Sequence, residues 1–139
     1  MTLTPEQAKA ILQQHNDYRR QEGAANMYML HWNTSLQQRA DAWIQGCNFK
    51  HEFNMDLGEN LFFTTDHNDA FFLGVKAWHD EKSLWSYSSG NCGAACHYTQ
   101  IIWSWTITVG CSAKVCPSLT ASSGSVKDAL FLACYYYPR

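Results

Sequence analysis

Near the start of the chain, apolar and aromatic side chains recur every three or four residues, the spacing of one helix face. These positions are Ala8, Ile11, Leu12, His15 and Tyr18. Ahead of them, Thr4 and Gln7 have the spacing of a capping box, and Pro5 stands at the first helical position, where its missing N–H does no harm. The pattern predicts a first helix beginning at Pro5, with His15 as a hydrogen-bonded core histidine.

The same spacing predicts two more helices in the middle of the chain. The second presents Leu36, Ala40, Trp43 and Cys47 on one face. We expect Thr34 to cap this helix and Gly46 to mark its end. The third presents Phe71, Phe72, Val75, Trp78 and Glu81 on one face.

A fourth helix is predicted to begin at Cys96. A histidine and two hydrogen-bonding side chains lead there into an apolar run. The helix would carry His97 in its first turn, with Ile101 and Ile102 turned inward and Trp103 beside them.

After Trp105 the pattern changes from helical to alternating. Residues 107–115 alternate apolar and polar positions, and residues 129–137 are rich in strand-forming side chains, so both runs predict strands. The stretch 117–127 between them is rich in Ser, Thr and Gly, and we expect a flexible connection there. Helices followed by a strand pair predict an α+β fold, in one domain over residues 1–139.

Composition narrows the class of protein. With 46% apolar and 14% aromatic residues among 139, the chain has the material for a packed globule. The net charge of −2 and the lack of a basic patch give no support to nucleic-acid binding. No apolar run approaches the roughly 20 residues of a membrane span, so no transmembrane segment is expected. Met1 is not followed by an apolar h-region, so we expect a mature form without a signal peptide.

Six cysteines are a high number for this length. An even number favours three disulfides and an oxidising, extracellular compartment. Zinc binding by thiolates is the alternative, but the chain lacks the paired Cys-x-x-Cys knuckles of such sites. The cysteine spacing alone leaves the pairing open.

Residues 97–103, His-Tyr-Thr-Gln-Ile-Ile-Trp, resemble the first signature of the CAP superfamily. This group comprises the cysteine-rich secretory proteins, insect venom antigens and plant pathogenesis-related proteins. Cys96 stands where the family usually has Gly. Residues 58–61, Gly-Glu-Asn-Leu, match a second family block, and the run around Cys134 resembles the second signature, with Tyr135 in place of a polar residue. The resemblance implies a three-layer α/β/α sandwich with a small antiparallel sheet, stabilised by disulfides.

The resemblance also implies a cleft formed by four residues. His51 and His97 are the implied ligands of Zn²⁺ or another divalent cation, bound weakly and optionally, with Glu59 and Glu81 as supporting residues. Taken alone, a histidine after a helix is more often structural, and a glutamate at a turn into a strand is more often solvated. The implied disulfides are Cys47–Cys116, Cys92–Cys96 and Cys111–Cys134.

Two functions follow from this resemblance. The one we prefer is an extracellular binding protein for a sterol or fatty acid, with a host or cell-surface protein as a further partner. In sterol-binding family members an aromatic-x-aromatic motif lies in the loop that here carries Trp85 and Tyr87, although aromatic packing onto Trp78 is an equal alternative. The second is a metal-dependent hydrolase or protease that uses the four cleft residues. Against it, Glu52 replaces the Ser that often follows the first histidine, and we assign no catalytic residue.

Overall fold

A computed structural model describes residues 3–23, 27–52, 56–85 and 92–139 of the chain. Its α-helices are α1 (Pro5–Glu22), α2 (Thr34–Ile44), α3 (Ala70–Asp80) and α4 (Cys96–Ile102). Short 3-10 helices occupy Glu81–Leu84 and Gly93–Ala95. The strands are β1 (His31–Trp32), β2 (Gly58–Thr64), β3 (Thr108–Ala121) and β4 (Gly124–Tyr137).

The strands form one sheet in the order β1-β3-β4-β2. Its three longer strands pair antiparallel, as expected, and the two-residue β1 adds a parallel pairing to β3. Burial on β4 alternates between the two faces of this sheet. Leu130, Leu132, Cys134 and Tyr136 pack with residues of α1, α3 and α4. Ala129, Phe131, Ala133 and Tyr135 pack with residues of α2. The α+β, three-layer architecture is therefore confirmed.

The expected flexible connection over 117–127 is wrong. In the structure β3 and β4 continue through it, with Ser118 paired to Lys127 and Leu119 to Val126. Leu119 is completely buried in the cluster beneath α2, which gives this Ser- and Thr-rich stretch an apolar anchor. The hydrophilic side chains are those of the exposed face of a long hairpin.

The helix starts were predicted with mixed success. Thr4 and Gln7 form the expected capping box at α1. Thr34 is the first residue of α2 and does not cap it; Asn33 is the cap, because its extended backbone lets Oδ1 accept from the Leu36 N–H at 3.1 Å.

Helix α4 begins at Cys96 as predicted, and Ile101 is fully buried. Ile102 is partly buried and packs against the core, as expected, whereas Trp103 is 45% exposed. The helix ends at Ile102, and the extended backbone at Trp103 turns this side chain outward.

All six cysteines are paired, and the pairs are those implied by the family resemblance. Cys47–Cys116 joins the segment after α2 to β3, and Cys111–Cys134 joins directly opposed positions of β3 and β4. Cys92–Cys96 closes a short loop immediately before His97. Within the described residues, every helix is too short or too polar to cross a membrane.

Candidate functional site

Glu81 and His97 form the first of two histidine–glutamate pairs. Glu81 opens the 3-10 helix that directly follows α3, and His97 is the second residue of α4. His97 Nδ1 lies 2.7 Å from Glu81 Oε2, and Glu81 Oε1 accepts from the backbone N–H groups of His97 at 3.0 Å and Tyr98 at 3.3 Å. One carboxylate therefore fixes both the ring and the backbone at the start of α4.

His51 and Glu59 form the second pair. Nδ1 of His51, in the segment after α2, lies 2.5 Å from Oε1 of Glu59, the second residue of β2. The Glu59 side chain is 4% exposed, whereas that of His51 is 67% exposed. A nearly buried carboxylate thus holds a histidine ring that faces solvent.

Residue Glu52 connects this second pair to two further elements. Its carboxylate accepts from Arg39 Nη2 and from the Tyr135 hydroxyl, both at 2.8 Å. Burial alone would raise the pKa of Glu52, but the hydrogen bonds from Arg39 and Tyr135 outweigh it and hold the pKa below its ordinary value. Burial and the neighbouring carboxylates raise the pKa of Tyr135, which keeps its hydroxyl a donor.

A buried polar chain runs from the His97 carbonyl into the core. Asn60 Nδ2 donates to this carbonyl at 3.2 Å and to the Tyr136 oxygen at 3.1 Å. His15 Nδ1 donates to the Ile11 carbonyl at 2.9 Å, so its Nε2 is the acceptor for the Tyr136 hydroxyl at 2.7 Å. Burial lowers the pKa of His15 to about 4 and keeps it neutral. His15 is confirmed as a core histidine.

The two histidine–glutamate pairs are connected through β2. Glu59 holds His51, and the next residue, Asn60, holds the carbonyl of His97. The four residues implied by the family resemblance therefore form two pairs, each contacted by one of two adjacent residues of β2. Among the residues that the structure describes, no cluster of three or more His, Cys, Asp or Glu could hold a metal ion.

The histidine tautomers define what each pair can do. A carboxylate only accepts hydrogen bonds, so each Nδ1 carries a proton, and in the neutral form of the ring Nε2 keeps a lone pair. Metal-binding histidines commonly have this arrangement, with the second ring nitrogen donating to a carboxylate. The donor chemistry of each histidine, taken separately, therefore suits a divalent cation.

Arg19 fixes the other end of α4 and was not singled out as functional from the sequence. This residue is 1% exposed, and its guanidinium donates to the carbonyls of Ile101, Trp103, Thr106 and Tyr28. Burial lowers its pKa to about 10, so it stays charged at neutral pH. No sequence signal marks a set of carbonyl partners so far apart in the chain.

Trp85 and Tyr87 were expected to bind a sterol. The partly buried ring of Trp85 packs at 5.7 Å from that of Tyr98, a residue of α4. The alternative expected from the sequence was that Trp85 packs onto Trp78, and the ring contact observed here is with Tyr98. Tyr87 lies outside the described residues.

Two grooves lined by both apolar and polar residues border α1. The first lies between α1 and the start of α3, has a volume of about 350 Å³, and is lined by residues that include Ile11, Phe71 and Phe72. The second has a volume of about 380 Å³ and is lined by residues that include Leu12 and Trp32. Both are open to solvent on one side.

Comparison with known proteins gives a family match along most of the chain. The family model described as "CAP: Cysteine-rich secretory protein family" matches residues 12–136. GLIPR1-like protein 1 of Bos taurus is 32% identical over 141 residues, covering 91% of this chain and 56% of the relative. Peptidase inhibitor 16 of Mus musculus is 32% identical over 142 residues, covering 98% and 28%. The chain thus spans 28% to 56% of the length of these two relatives.

The fold also matches that of solved structures. A crystal structure of NaASP2 with Zn²⁺ has a TM-score of 0.83 at 22% identity, covering 98% of this chain and 81% of that chain. At this level of identity the likeness establishes a shared fold.

Proposed function

Because the chain belongs to the cysteine-rich secretory protein (CAP) family, we propose that it is an extracellular binding protein that holds a divalent cation weakly through His51 and His97. Three disulfides support the extracellular location, because disulfides persist in oxidising compartments. The family model matches residues 12–136 of this chain, whereas the two relatives are longer than the part that matches.

The observation that supports cation binding is the shared geometry of the two pairs. Both histidines donate a hydrogen bond from Nδ1–H to a glutamate carboxylate, at 2.5 Å and 2.7 Å. Each carboxylate thereby orients its ring and makes Nε2 a better donor to a cation. Two imidazoles without a third protein ligand would bind Zn²⁺ less tightly than the complete sites of structural zinc proteins. A bound cation would supply Lewis-acid polarisation of an oxygen on a ligand.

The crystal structure of NaASP2 with Zn²⁺ adds support at the level of the fold. The ligand residues proposed for this chain rest on its own two pairs.

Calorimetric titration with ZnCl₂ tests this proposal. We expect weak saturable binding to the wild-type chain and none to the variant His51→Ala/His97→Ala. His31→Ala is the matched control, because His31 is exposed on β1 and lies outside the pairs. Equal heats from wild type and the double variant, with both folded by circular dichroism, would place the metal elsewhere.

Lipid binding is a second candidate, favoured by the apolar residues that partly line the two grooves along α1. A fatty acid is a suitable occupant, because an acyl chain gains about 25 cal/mol for each Å² of apolar area that it buries. A sterol is the alternative ligand. We propose that it contacts Trp85 and Tyr87 in their loop and not the grooves.

Lipid specificity can be tested by substituting each region separately. If a fatty acid uses the groove between α1 and the start of α3, Phe72→Ser weakens its uptake, since Phe72 lines this groove and is 54% exposed. If a sterol uses the loop, Trp85→Ala/Tyr87→Ala weakens cholesterol uptake instead. Absence of saturable uptake of either lipid by the wild type would remove this candidate.

The hydrolase alternative uses the same four residues and needs turnover. Incubation of the purified chain with a peptide library and Zn²⁺ distinguishes it from binding. Cleavage that disappears in His51→Ala/His97→Ala would establish the enzyme, and we expect no such cleavage.

A cell-surface protein partner is part of the proposed extracellular role and is tested separately, by binding of the chain to intact cells.

A further inference from the structure

The residue after His51 is tied into the same pair. The backbone N–H of Glu52 donates to Oε1 and Oε2 of Glu59 at 3.3 and 3.4 Å. Two successive residues therefore approach one nearly buried carboxylate, the first through its ring and the second through its backbone. Any shift of Glu52 is passed directly to His51.

The Glu52 side chain is anchored from two other elements. Arg39 of α2 donates to its carboxylate through Nη2 at 2.8 Å and through Nε at 3.2 Å. Tyr135 of β4 donates its hydroxyl to Oε1 at 2.8 Å. Together with Glu59 of β2, these contacts connect the residue to a helix and two strands.

The His51 side chain is 67% exposed, and among the residues that the structure describes its ring hydrogen-bonds to Glu59. The Glu52 side chain is only 20% exposed. The Glu52 side chain therefore anchors the residue after His51, and the Trp43 indole N–H holds the carbonyl of the residue before it, Lys50, at 3.0 Å.

We propose that Glu52, held by Arg39 and Tyr135, is a positioning residue that fixes the orientation of the His51 imidazole for cation binding. The inference rests on the proposed cation site and assigns Glu52 no contact with the ion. It gives a role to a residue that stands where related sequences often have Ser. It also gives a role to the Tyr135 hydroxyl, which reaches Glu52 at 2.8 Å.

Anchoring matters because a free ring would have to be ordered when the ion binds. Loss of a partner that orients a metal ligand commonly weakens metal affinity by about 10- to 100-fold. Glu52→Ala removes both side-chain contacts, and we expect it to weaken zinc binding by about tenfold or more. Tyr135→Phe removes one hydroxyl and should weaken binding less. Glu52→Gln keeps an acceptor for Tyr135 and Arg39 and should restore most of the affinity.

The test measures zinc affinity by calorimetry and thermal stability for wild type and these three variants. The matched control is Asp17→Ala, which removes an exposed carboxylate from an ion pair with Arg20 on α1. Asp17→Ala should bind zinc as the wild type does. Unchanged zinc affinity in Glu52→Ala would overturn the inference. Equal losses in Glu52→Gln and Glu52→Ala, with no loss in Tyr135→Phe, would overturn it as well, because Glu52 would then be a ligand.

A metal-free measurement separates this inference from the proposed function. A proton–nitrogen correlation spectrum of the imidazole rings reports which nitrogen of His51 carries the proton. We expect mainly the Nδ1–H tautomer in wild type and a mixture in Glu52→Ala, with His97 unchanged. If wild type binds no zinc, the proposed function fails while this spectrum still tests the positioning role. Identical His51 signals in wild type and Glu52→Ala would contradict it, and Tyr135→Phe gives the same comparison if Glu52→Ala does not fold.

Discussion

The Tyr136 hydroxyl lies 2.7 Å from Nε2 of His15, a residue 121 positions earlier in the chain. Through Asn60 the same hydroxyl is connected to the carbonyl of His97. Helix α1, strand β4, strand β2 and helix α4 therefore meet in one buried polar chain. Each of these polar groups has a hydrogen-bond partner. Together they help to set the position of His97, one of the two site histidines.

Removing the central hydroxyl should destabilise the fold. Tyr136→Phe leaves buried polar atoms of His15 and Asn60 without this partner, at an expected cost of about 1–3 kcal/mol in the free energy of unfolding. Urea denaturation at neutral pH measures the loss. Tyr137→Phe is the control, because Tyr137 is 50% exposed, and its cost should stay below about 0.5 kcal/mol. Equal stability of wild type and Tyr136→Phe would show that the buried hydrogen bonds of the Tyr136 hydroxyl contribute nothing to the free energy of unfolding.

The buried His15 should make the fold acid-sensitive. Its pKa is about 4 in the folded chain, lowered by burial from an ordinary value of 6.5. Between these two values the unfolded chain binds more protons, so the free energy of unfolding falls as the pH decreases. One such histidine accounts for about 3 kcal/mol over this window. Above it both states are neutral, and below it both are protonated.

Substitution of His15 isolates this contribution. His15→Gln should be less stable than wild type at pH 7 and should lose less stability between pH 6.5 and 4. Urea denaturation across that range gives both quantities. His31→Gln, on the exposed β1, should follow the wild-type slope. A wild-type slope in His15→Gln would refute the linkage.

The Arg19 guanidinium holds the end of α4 and should tolerate no replacement. Arg19→Lys keeps the charge, but one ammonium group cannot reach the carbonyls of Ile101, Trp103, Thr106 and Tyr28 together. We expect a loss of about 2 kcal/mol or more in thermal or urea unfolding. Arg20→Lys tests the neighbouring exposed arginine, whose ion pair with Asp17 should matter little. Similar losses in the two variants would argue against a special role for Arg19.

The disulfides should differ in their contribution to stability. In the chain-entropy model, Cys47–Cys116 closes a long loop and contributes about 4 kcal/mol, whereas Cys92–Cys96 closes a short one and contributes about 2 kcal/mol. Denaturation of Cys47→Ser/Cys116→Ser and Cys92→Ser/Cys96→Ser measures both. A larger loss from the second pair would mean that order near His97, and not loop length, dominates.

Local signals in the sequence predicted the helix starts and strand runs correctly where one segment contains its own information. Thr4 and Gln7 cap α1 through side chains three residues apart, and α4 begins at Cys96 as its pattern indicates. The hairpin over 117–127 was missed because the signal there is a single buried Leu119 among Ser and Thr. Its partner is a helix about eighty residues earlier, beyond the reach of a local pattern.

The candidate site shows the same division. Motif resemblance predicted His51, Glu59, Glu81 and His97, and the structure places them in two pairs. The anchoring of Glu52 could not be predicted, because it depends on side chains from separate elements that meet only in the folded chain. Nor could the sequence show that each histidine donates a hydrogen bond from Nδ1–H to a glutamate.

The position of a bound ion tests whether His51 and His97 share one cation. A crystal of the chain soaked in zinc, measured at the zinc absorption edge, locates the metal without reference to the protein structure. We expect an anomalous peak about 2.0–2.1 Å from Nε2 of both His51 and His97. A peak on other residues, or none at saturating zinc, would contradict it.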